Sequence, residues 1–382
     1  MSAFPLTFSV IKADVGSVGG HTRPSQAMMD IARKELAKAV DAKVLIDAYC
    51  TFTGDDICLI SSHTHGSGSE LVHKLCWDIF IKAAQQAEVE GDYGYGQDLL
   101  ADAPSGNIRG AGPAVAEITF EHDFGKHNKV RPVESIMVFA ADKCGPGAYN
   151  FPIFSAFADP RFCGGLLLSP KMTKGFTFRI IDMDHTDGDR IIELNAPDDY
   201  YKIVALLRDN ERFGIESISS REYPDQQCAS ISAMRLHSIA GTYTGKDDPI
   251  ALIRNQGIFP APEEIVSPWT IGHFVGGDAR GSHVMPIMPV AIETPVTGPY
   301  CLPLVSAIGF SVDAKGIFSN AIVDFFGNVA WDQVRLNVQK KGIDMRQQGW
   351  SGAAMLPYSE LEYGGIAQIM KDLESQFTIR KS

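Results

Sequence analysis

No stretch of this chain reaches about 18 uninterrupted apolar residues, the length a helix needs to cross a bilayer. Its first residues, MSAFPLTFSVIKADVG, have no basic start leading into a sustained apolar run and a small-residue cleavage site, so a soluble, unprocessed chain is expected. Runs of Lys and Arg are also missing, and the net charge of −12 leaves no electrostatic footprint for nucleic acid or an anionic membrane surface. An anionic ligand would need positive charge supplied locally. The seven cysteines (Cys50, Cys58, Cys76, Cys144, Cys163, Cys228 and Cys301) are odd in number and never spaced as CxxC, which excludes a disulfide framework and a zinc ribbon and suits a reducing cytoplasm. Glycine-rich pieces such as GAGPAVAE and GPGAYNFP fall short of GxGxxG, and no GxxxxGK[ST] occurs. Dinucleotide and P-loop nucleotide sites are therefore not expected.

What is present is a large core and a set of acidic residues at regular places. With 382 residues, 45% hydrophobic, the chain can bury a substantial interior, and the absence of repeats or a low-complexity linker favours one compact domain over residues 1–382. Strand-like segments run into aspartates: LTFSVIKA into Asp14, VLIDAYCTFTG into Asp55 and Asp56, and ESIMVFAA into Asp142. Between them lie helical patterns. Met28, Ile31, Ala32, Leu36 and Val40 recur at three-to-four spacing over 24–40, and a second helix is expected over 69–88 with Ser69 as N-cap. FTFRIIDMDHTDGDRIIELNAP reads as a hairpin around Asp187-Gly188. This interleaving predicts an α/β (α+β) fold.

Five separated pieces share one chemistry: KADVGSVGGH (Asp14, His21), GDD (Asp55, Asp56), GYGQD (Tyr95, Gln97, Asp98), ADK (Asp142, Lys143) and TYTGKDDP (Asp247, Asp248). Adjacent ionised aspartates repel, and burying them costs several kcal/mol unless cations or protons compensate. Hard carboxylate and amide oxygens with one imidazole favour Mg²⁺ or Mn²⁺ over softer metals. Several such ions about 4 Å apart would clamp a phosphoryl group. Each piece alone is ordinary, since Asp-Asp pairs occur in many surface turns and TYTGKDDP could be a solvated turn with Pro249 opening a helix. DMDHTDGD misses the EF-hand spacing, and His63 and His65 have no third soft ligand nearby, so neither is read as a metal site. Lys246 has its own logic. A lysine forms a Schiff base only when deprotonated, and the two aspartates after it oppose that unless they are engaged by metal. Tyr243 would then stand ready to move a proton at the carbon next to the imine.

SVIKADVGSVGGH, GDD, GQDLLADAPSGNIRGAGP, ADKCGPGAYN, GTYTGKDDP, ARGSHVMPIMPV and the late ELEY, in this order, resemble the bifunctional fructose-1,6-bisphosphate aldolase/phosphatase family over nearly the whole chain. The resemblance implies a single-domain four-layer α-β-β-α sandwich, several Mg²⁺ ions and a homo-octamer. It also implies a gluconeogenic enzyme in the cytoplasm that condenses dihydroxyacetone phosphate with glyceraldehyde 3-phosphate, then hydrolyses the C1 phosphate of fructose 1,6-bisphosphate. Carried over by position, the metal ligands fall on Asp14, His21, Asp55, Asp56, Gln97, Asp142, Asp247 and Asp248. Asp14 would also be the acid/base of the phosphatase step, with Lys246 the Schiff-base lysine and Tyr243 the proton shuttle. Substrate contacts would include His21, Tyr93, Gly106, Asn107, Lys143, Gln256, Arg280 and Tyr363. A family aspartate that meets the sugar hydroxyls has no counterpart in ETPVTGPYC, where Thr297 or Glu293 stands instead. Two other readings use the same residues: a Mg²⁺-dependent sugar-bisphosphate phosphatase without aldolase activity, and a silent phosphosugar-binding regulator.

Overall fold

The structure, a computed structural model, describes residues 5–99, 112–121, 134–185, 188–232, 247–276, 284–298, 302–347 and 365–380. The mixed α/β class expected from the interleaved patterns is the class observed. A four-stranded sheet has the order β2-β3-β1-β4, from β1 (Pro5–Asp14), β2 (Asp47–Thr53), β3 (Asp56–His63) and β4 (Ala114–Glu121). A larger, ten-stranded sheet starts with β5 (Glu134–Asp142), β6 (Phe176–Asp182), β7 (Arg190–Ala196), β8 (Phe213–Ser220), β9 (Gln227–Ile231) and β10 (Ile250–Asn255). After the short ribbon of β11 (Phe274–Gly276) and β12 (Val284–Pro286), it gains β13 (Met288–Pro289), β14 (Leu304–Val312), β15 (Val323–Asp324) and β16 (Thr378–Ile379).

Alternation along the strands sets the packing. In β1, Leu6, Phe8 and Val10 point one way and meet Ile136, Val138 and Ala140 of β5 and Leu252 of β10, so one hydrophobic cluster joins the two sheets. Ile11 and Ala13 point the other way, into a cluster with Met28, Ala32 and Leu36 of helix α1 (Gln26–Asp41) and Val72, Ile79 and Phe80 of helix α2 (Glu70–Glu90). A third cluster lies on the far face of the larger sheet. There Phe139, Phe176 and Phe178 pack against α3 (Asn150–Ala158) and α5 (Tyr200–Leu207), with the short α4 (Gly165–Leu168) between them in sequence. Each fully buried Phe or Leu contributes about 1.5–3 kcal/mol, and β1 is buried on both faces along nearly its whole length. Such a strand is a rigid mount for whatever stands at its end.

Local signals explain the helix limits. Ser25 caps α1 by accepting from the Met28 N–H at 3.2 Å, as an N-cap serine should. Ser69 occupies the N-cap of α2 but makes no side-chain cap bond there, and Gly91, with φ +73°, ends that helix. The hairpin read from the sequence forms between β6 and β7, from Phe176 opposite Ala196 to Asp182 opposite Arg190; Asp187 of its turn lies outside the described residues. Pro249 opens no helix. It leads into β10, whose Ile250 pairs with Ala140 in a buried antiparallel ladder. Among the described residues, no helix is long and apolar enough to cross a membrane, and six cysteines are free and buried. Among the described residues, the further α-helices are α6 (Pro262–Val266), α7 (Asp332–Gln347) and α8 (Gly365–Glu374).

Candidate active site

Three strand ends and two turns deliver acidic side chains to one place. Asp14 ends β1 and lies directly across the ladder from Asp56, the first residue of β3. Asp55 stands in the tight β2–β3 turn, and Asp142 ends β5. Gly54 makes their approach possible. Its φ of +59° suits glycine, and a Cβ at that position would overlap the Asp142 carboxylate. The turn is then tied down twice: the Gly54 N–H donates to the Thr294 carbonyl at 2.9 Å, and the Asp55 N–H donates to Asp142 Oδ2 at 3.0 Å.

Further contacts close the cluster. Lys143 donates to Asp55 Oδ1 at 2.6 Å and to Asp142 Oδ1 at 2.8 Å. His21 Nδ1 lies 3.3 Å from Asp55 Oδ2, and the His21 ring meets the Tyr93 ring edge-on with centroids 4.8 Å apart. On the other side, Asp14 and Asp98 hold each other. The Asp14 N–H donates to Asp98 Oδ2 at 2.9 Å, and the Asp98 N–H donates to the Asp14 carbonyl at 3.0 Å. Because the Gly96 N–H also donates to the Val15 carbonyl, Gln97 is held between two anchors on the end of β1. Asp248 is fastened to the segment after β5 through Cys144. Lys143 and Asp248 both adopt left-handed backbone, with φ of +61° and +49°, a conformation that non-glycine residues rarely take outside turns and functional sites.

The electrostatics are lopsided. Asp14, Asp55, Asp56, Asp98, Asp142, Asp247 and Asp248 are all buried, and among the described residues Lys12 and Lys143 are the buried ammonium groups beside them. Burial, and then the charges of Asp55, Asp56 and Asp98, push the Asp14 carboxyl well above the usual carboxylate range. Burial and Asp55 do the same to Asp142. Asp248 is pushed up to about 7 by burial, with Asp247 and Asp56 adding to it. Asp55 goes the other way: burial acts to raise it, but Lys143 and hydrogen bonds from His21 and Lys143 hold it below the usual range. Among the described residues, carboxylates therefore outnumber cations in a place where water screens them poorly.

Divalent cations fit that excess. Asp14, His21 and Asp55 bring ligand atoms within 4.8 Å of one another, and so do Asp55, Asp56 and Asp142. Asp55 belongs to both groups. The donors are carboxylate oxygens with one imidazole, the set that hard cations such as Mg²⁺ and Mn²⁺ take.

Of the residues singled out in the sequence, the fold brings together Asp14, His21, Tyr93, Asp55, Asp56, Asp142, Lys143 and Asp248, with Gln97 and Asp247 held beside them. Tyr243, Lys246, Gly106, Asn107, Arg280 and Tyr363 lie outside the described residues. Gln256 is not gathered with the rest. It follows Asn255, which pairs with Ser135 at the start of β5, so the length of β10, about 20 Å, separates it from the Asp142 end of the sheet. Glu293 bonds to Arg33 at 2.9 Å, and Thr297 is exposed. Within the acid-rich DMDHTDGD stretch, Asp182 is ion-paired: it accepts from Arg190 at 2.7 Å and from Arg212 at 2.9 and 3.0 Å. His63 is hydrogen-bonded to Ser9 Oγ at 2.7 Å in the core.

Sequence reasoning passed over Lys12, which ion-pairs with Asp56, and gave Asp98 no role of its own. A signal for Lys12 was there to use. It stands two residues before Asp14 on the same strand, hence on the same face. Tyr149 was missed as well. Its ring packs edge-on against Trp269, with centroids 5.4 Å apart, and among the described residues its buried hydroxyl has no hydrogen-bond partner.

Comparison with known proteins agrees over the full length. The family model described as fructose-1,6-bisphosphatase matches residues 5–378. A Thermus thermophilus protein named fructose-1,6-bisphosphate aldolase/phosphatase is 48% identical, over 98% of this chain and 99% of the relative. Proteins of the same name from Cenarchaeum symbiosum and Methanothermobacter marburgensis are 40% and 39% identical, each over 97% of this chain and over 94% and 98% of their own lengths.

Proposed function

The chain belongs to the fructose-1,6-bisphosphate aldolase/phosphatase family, and on that footing we propose that it makes fructose 6-phosphate from two triose phosphates at one site. Dihydroxyacetone phosphate condenses with glyceraldehyde 3-phosphate to give fructose 1,6-bisphosphate, and hydrolysis of the C1 phosphate follows, the gluconeogenic direction. The observation that carries this reading is the convergence of Asp14, His21, Asp55, Asp56, Asp142 and Asp248 around Lys143, with Lys246 directly before Asp247 in the chain.

In the condensation, the Lys246 amine attacks the C2 carbonyl of dihydroxyacetone phosphate, and loss of water leaves the Schiff base. Tyr243 takes a proton from the adjacent carbon, and that carbon attacks the aldehyde of glyceraldehyde 3-phosphate. Tyr243 returns the proton to the alkoxide oxygen so formed, and water then releases fructose 1,6-bisphosphate from Lys246. The lysine must be neutral to attack, so Asp247 and Asp248 must have their charge engaged elsewhere at that moment. In the hydrolysis, Asp14 manages the proton of the attacking water. Lys143 and Arg280 donate to phosphate oxygens, Gly106 lets backbone N–H groups approach an anion, and His21, Tyr93, Asn107 and Tyr363 position the substrate. Gln256 is left out of this set because it stands at the far end of β10. Asp14, His21, Asp55, Asp56, Gln97, Asp142, Asp247 and Asp248 would hold Mg²⁺, or Mn²⁺, which when bound neutralises phosphate charge and acidifies water. A homo-octamer in the cytoplasm completes the proposal.

The decisive assay feeds both triose phosphates with Mg²⁺ and follows fructose 6-phosphate. Borohydride trapping with dihydroxyacetone phosphate should add mass at Lys246. Active phosphatase that takes no label there would leave a Mg²⁺-dependent sugar-bisphosphate phosphatase without aldolase activity. Ligand binding without any turnover would instead mark a regulator.

A further inference from the structure

We infer that Lys12 is a positioning residue, the resident cation of the carboxylate cluster, which fixes Asp56 for metal binding and keeps the cluster folded before metal arrives. The inference rests on the metal-dependent reading given above. Lys12 is completely buried, and its ammonium pairs with Asp56 Oδ2. The strand geometry leaves it little choice. Lys12 lies across from Cys58 in the β1–β3 ladder, two residues before Asp14 and two residues along β3 from Asp56, so one strand pair delivers two carboxylates and one ammonium to the same face.

The two lysines of the cluster are not equivalent. Lys143 sits on the segment after β5 with a left-handed backbone, retains some exposure, and bridges Asp55 and Asp142. It can exchange those partners for a phosphate. Lys12 is inside a strand and completely buried, and its charge acts on Asp56 and Asp248. An ammonium buried this completely persists only where a carboxylate answers it, and removing one partner of such a pair leaves the other uncompensated. Engaging one oxygen of Asp56 also restricts the rotation of that carboxylate, so Asp56 would present itself to a divalent cation in a fixed orientation.

Lys12→Met keeps the stem and removes the charge. Three measurements on purified full-length protein test the idea: thermal unfolding in EDTA, Mg²⁺ uptake by equilibrium dialysis, and the kcat and KM of fructose 1,6-bisphosphate hydrolysis at saturating Mg²⁺. The variant should melt below wild type in EDTA and regain more stability from Mg²⁺ than wild type does. Its kcat should fall by about tenfold or more with KM little changed, the loss typical of a residue supporting a metal ligand. If Lys12→Met does not fold without metal, the Lys12→Met/Asp56→Asn double variant should, because both charges are gone; a double variant as defective as the single would overturn the inference. So would a Lys12→Met protein with wild-type kcat and a wild-type Mg²⁺ response. Wild-type protein that takes up no Mg²⁺ would overturn the metal reading and this inference with it, whereas uptake by wild type beside an indifferent Lys12→Met overturns this inference alone.

Discussion

Cys144 and Asp248 hold each other twice: the Cys144 N–H donates to Asp248 Oδ1 at 2.7 Å, and the Asp248 N–H donates to the Cys144 carbonyl at 2.8 Å. The segment leaving β5 and the segment entering β10 are therefore one unit, and Asp142 moves only if Asp248 does. Asp248→Asn keeps an acceptor for Cys144 and tolerates the left-handed backbone, so it should melt close to wild type while losing phosphatase turnover by about 100-fold. Asp248→Ala leaves the Cys144 N–H unpaired and strains the backbone, costing about 1–3 kcal/mol as well. Thermal melts and steady-state kinetics on the two variants check this. A stable Asp248→Ala would remove the clasp from the account.

Gly54→Ala should damage the site more than the fold. The added methyl would overlap the Asp142 carboxylate at a backbone angle that alanine resists, so Asp142 must swing away from Asp55. Mg²⁺-dependent turnover should be nearly abolished, and the Mg²⁺ needed for half-maximal stabilisation should rise. Unchanged Mg²⁺ titrations would show that the Asp142 position does not matter.

Without metal, stability should fall as pH rises. Asp14, Asp142 and Asp248 have folded pKa values raised above their unfolded ones, by burial first and neighbouring carboxylates second. The native state therefore holds protons that the unfolded state gives up above about pH 4. Their contribution is greatest below that pH and is lost as pH passes through the folded values, about 7 for Asp248. Melting temperatures in EDTA should drop between pH 5 and pH 8, and Mg²⁺ should flatten or reverse the trend. An EDTA curve that rises over that range would contradict the charge excess.

A second pH effect has the opposite sign and another origin. Burial pushes His63 down to about 4, and the nearby Glu117 only partly offsets it. Both states leave this imidazole neutral above about pH 6.5, but below that the unfolded chain takes a proton that the native core refuses. Stability should be lost as pH falls from about 6.5 toward 4, and it should be visible once Mg²⁺ has suppressed the carboxylate effect. His63→Gln should make this acid limb shallower. Its steepness unchanged in that variant would assign it to other groups.

How much of this was legible in the sequence depended on the distance over which each signal acts. Short-range signals carried well: the three-to-four spacing from Met28 to Val40 became α1, and the alternation on either side of Gly188 became the β6–β7 hairpin. Aspartates at strand ends pointed to one site because Asp14 ends β1 where the antiparallel β3 begins with Asp56, and Asp55 lies in the turn just before it. Pairing across the ladder was not legible. Nothing in the order of residues says that Lys12 answers Asp56 rather than Asp14, since that follows from the β1–β3 register. The same holds for Gln256. The family resemblance implies it as a substrate contact and says nothing of distance within the chain, and a straight strand carries it to the opposite end of the sheet from Asp142. Pro249 misled for a related reason: its fixed φ suits the first turn of a helix, yet it also suits entry to a strand, and the buried ladder with β5 decided the matter.

The burial of β1 on both faces sets how this sequence can change over time. Substitutions that keep size and polarity can accumulate along Pro5–Asp14, but a single-residue deletion cannot, because the side chains alternate and every residue beyond the gap would change faces. Such a deletion would carry Lys12 and Asp14 away from Asp56 in one step, while Phe8 and Val10 lost their places between the sheets. Length variation in this lineage should therefore collect in the connections, and the interval from Lys12 to Asp14 should be the same in every working descendant.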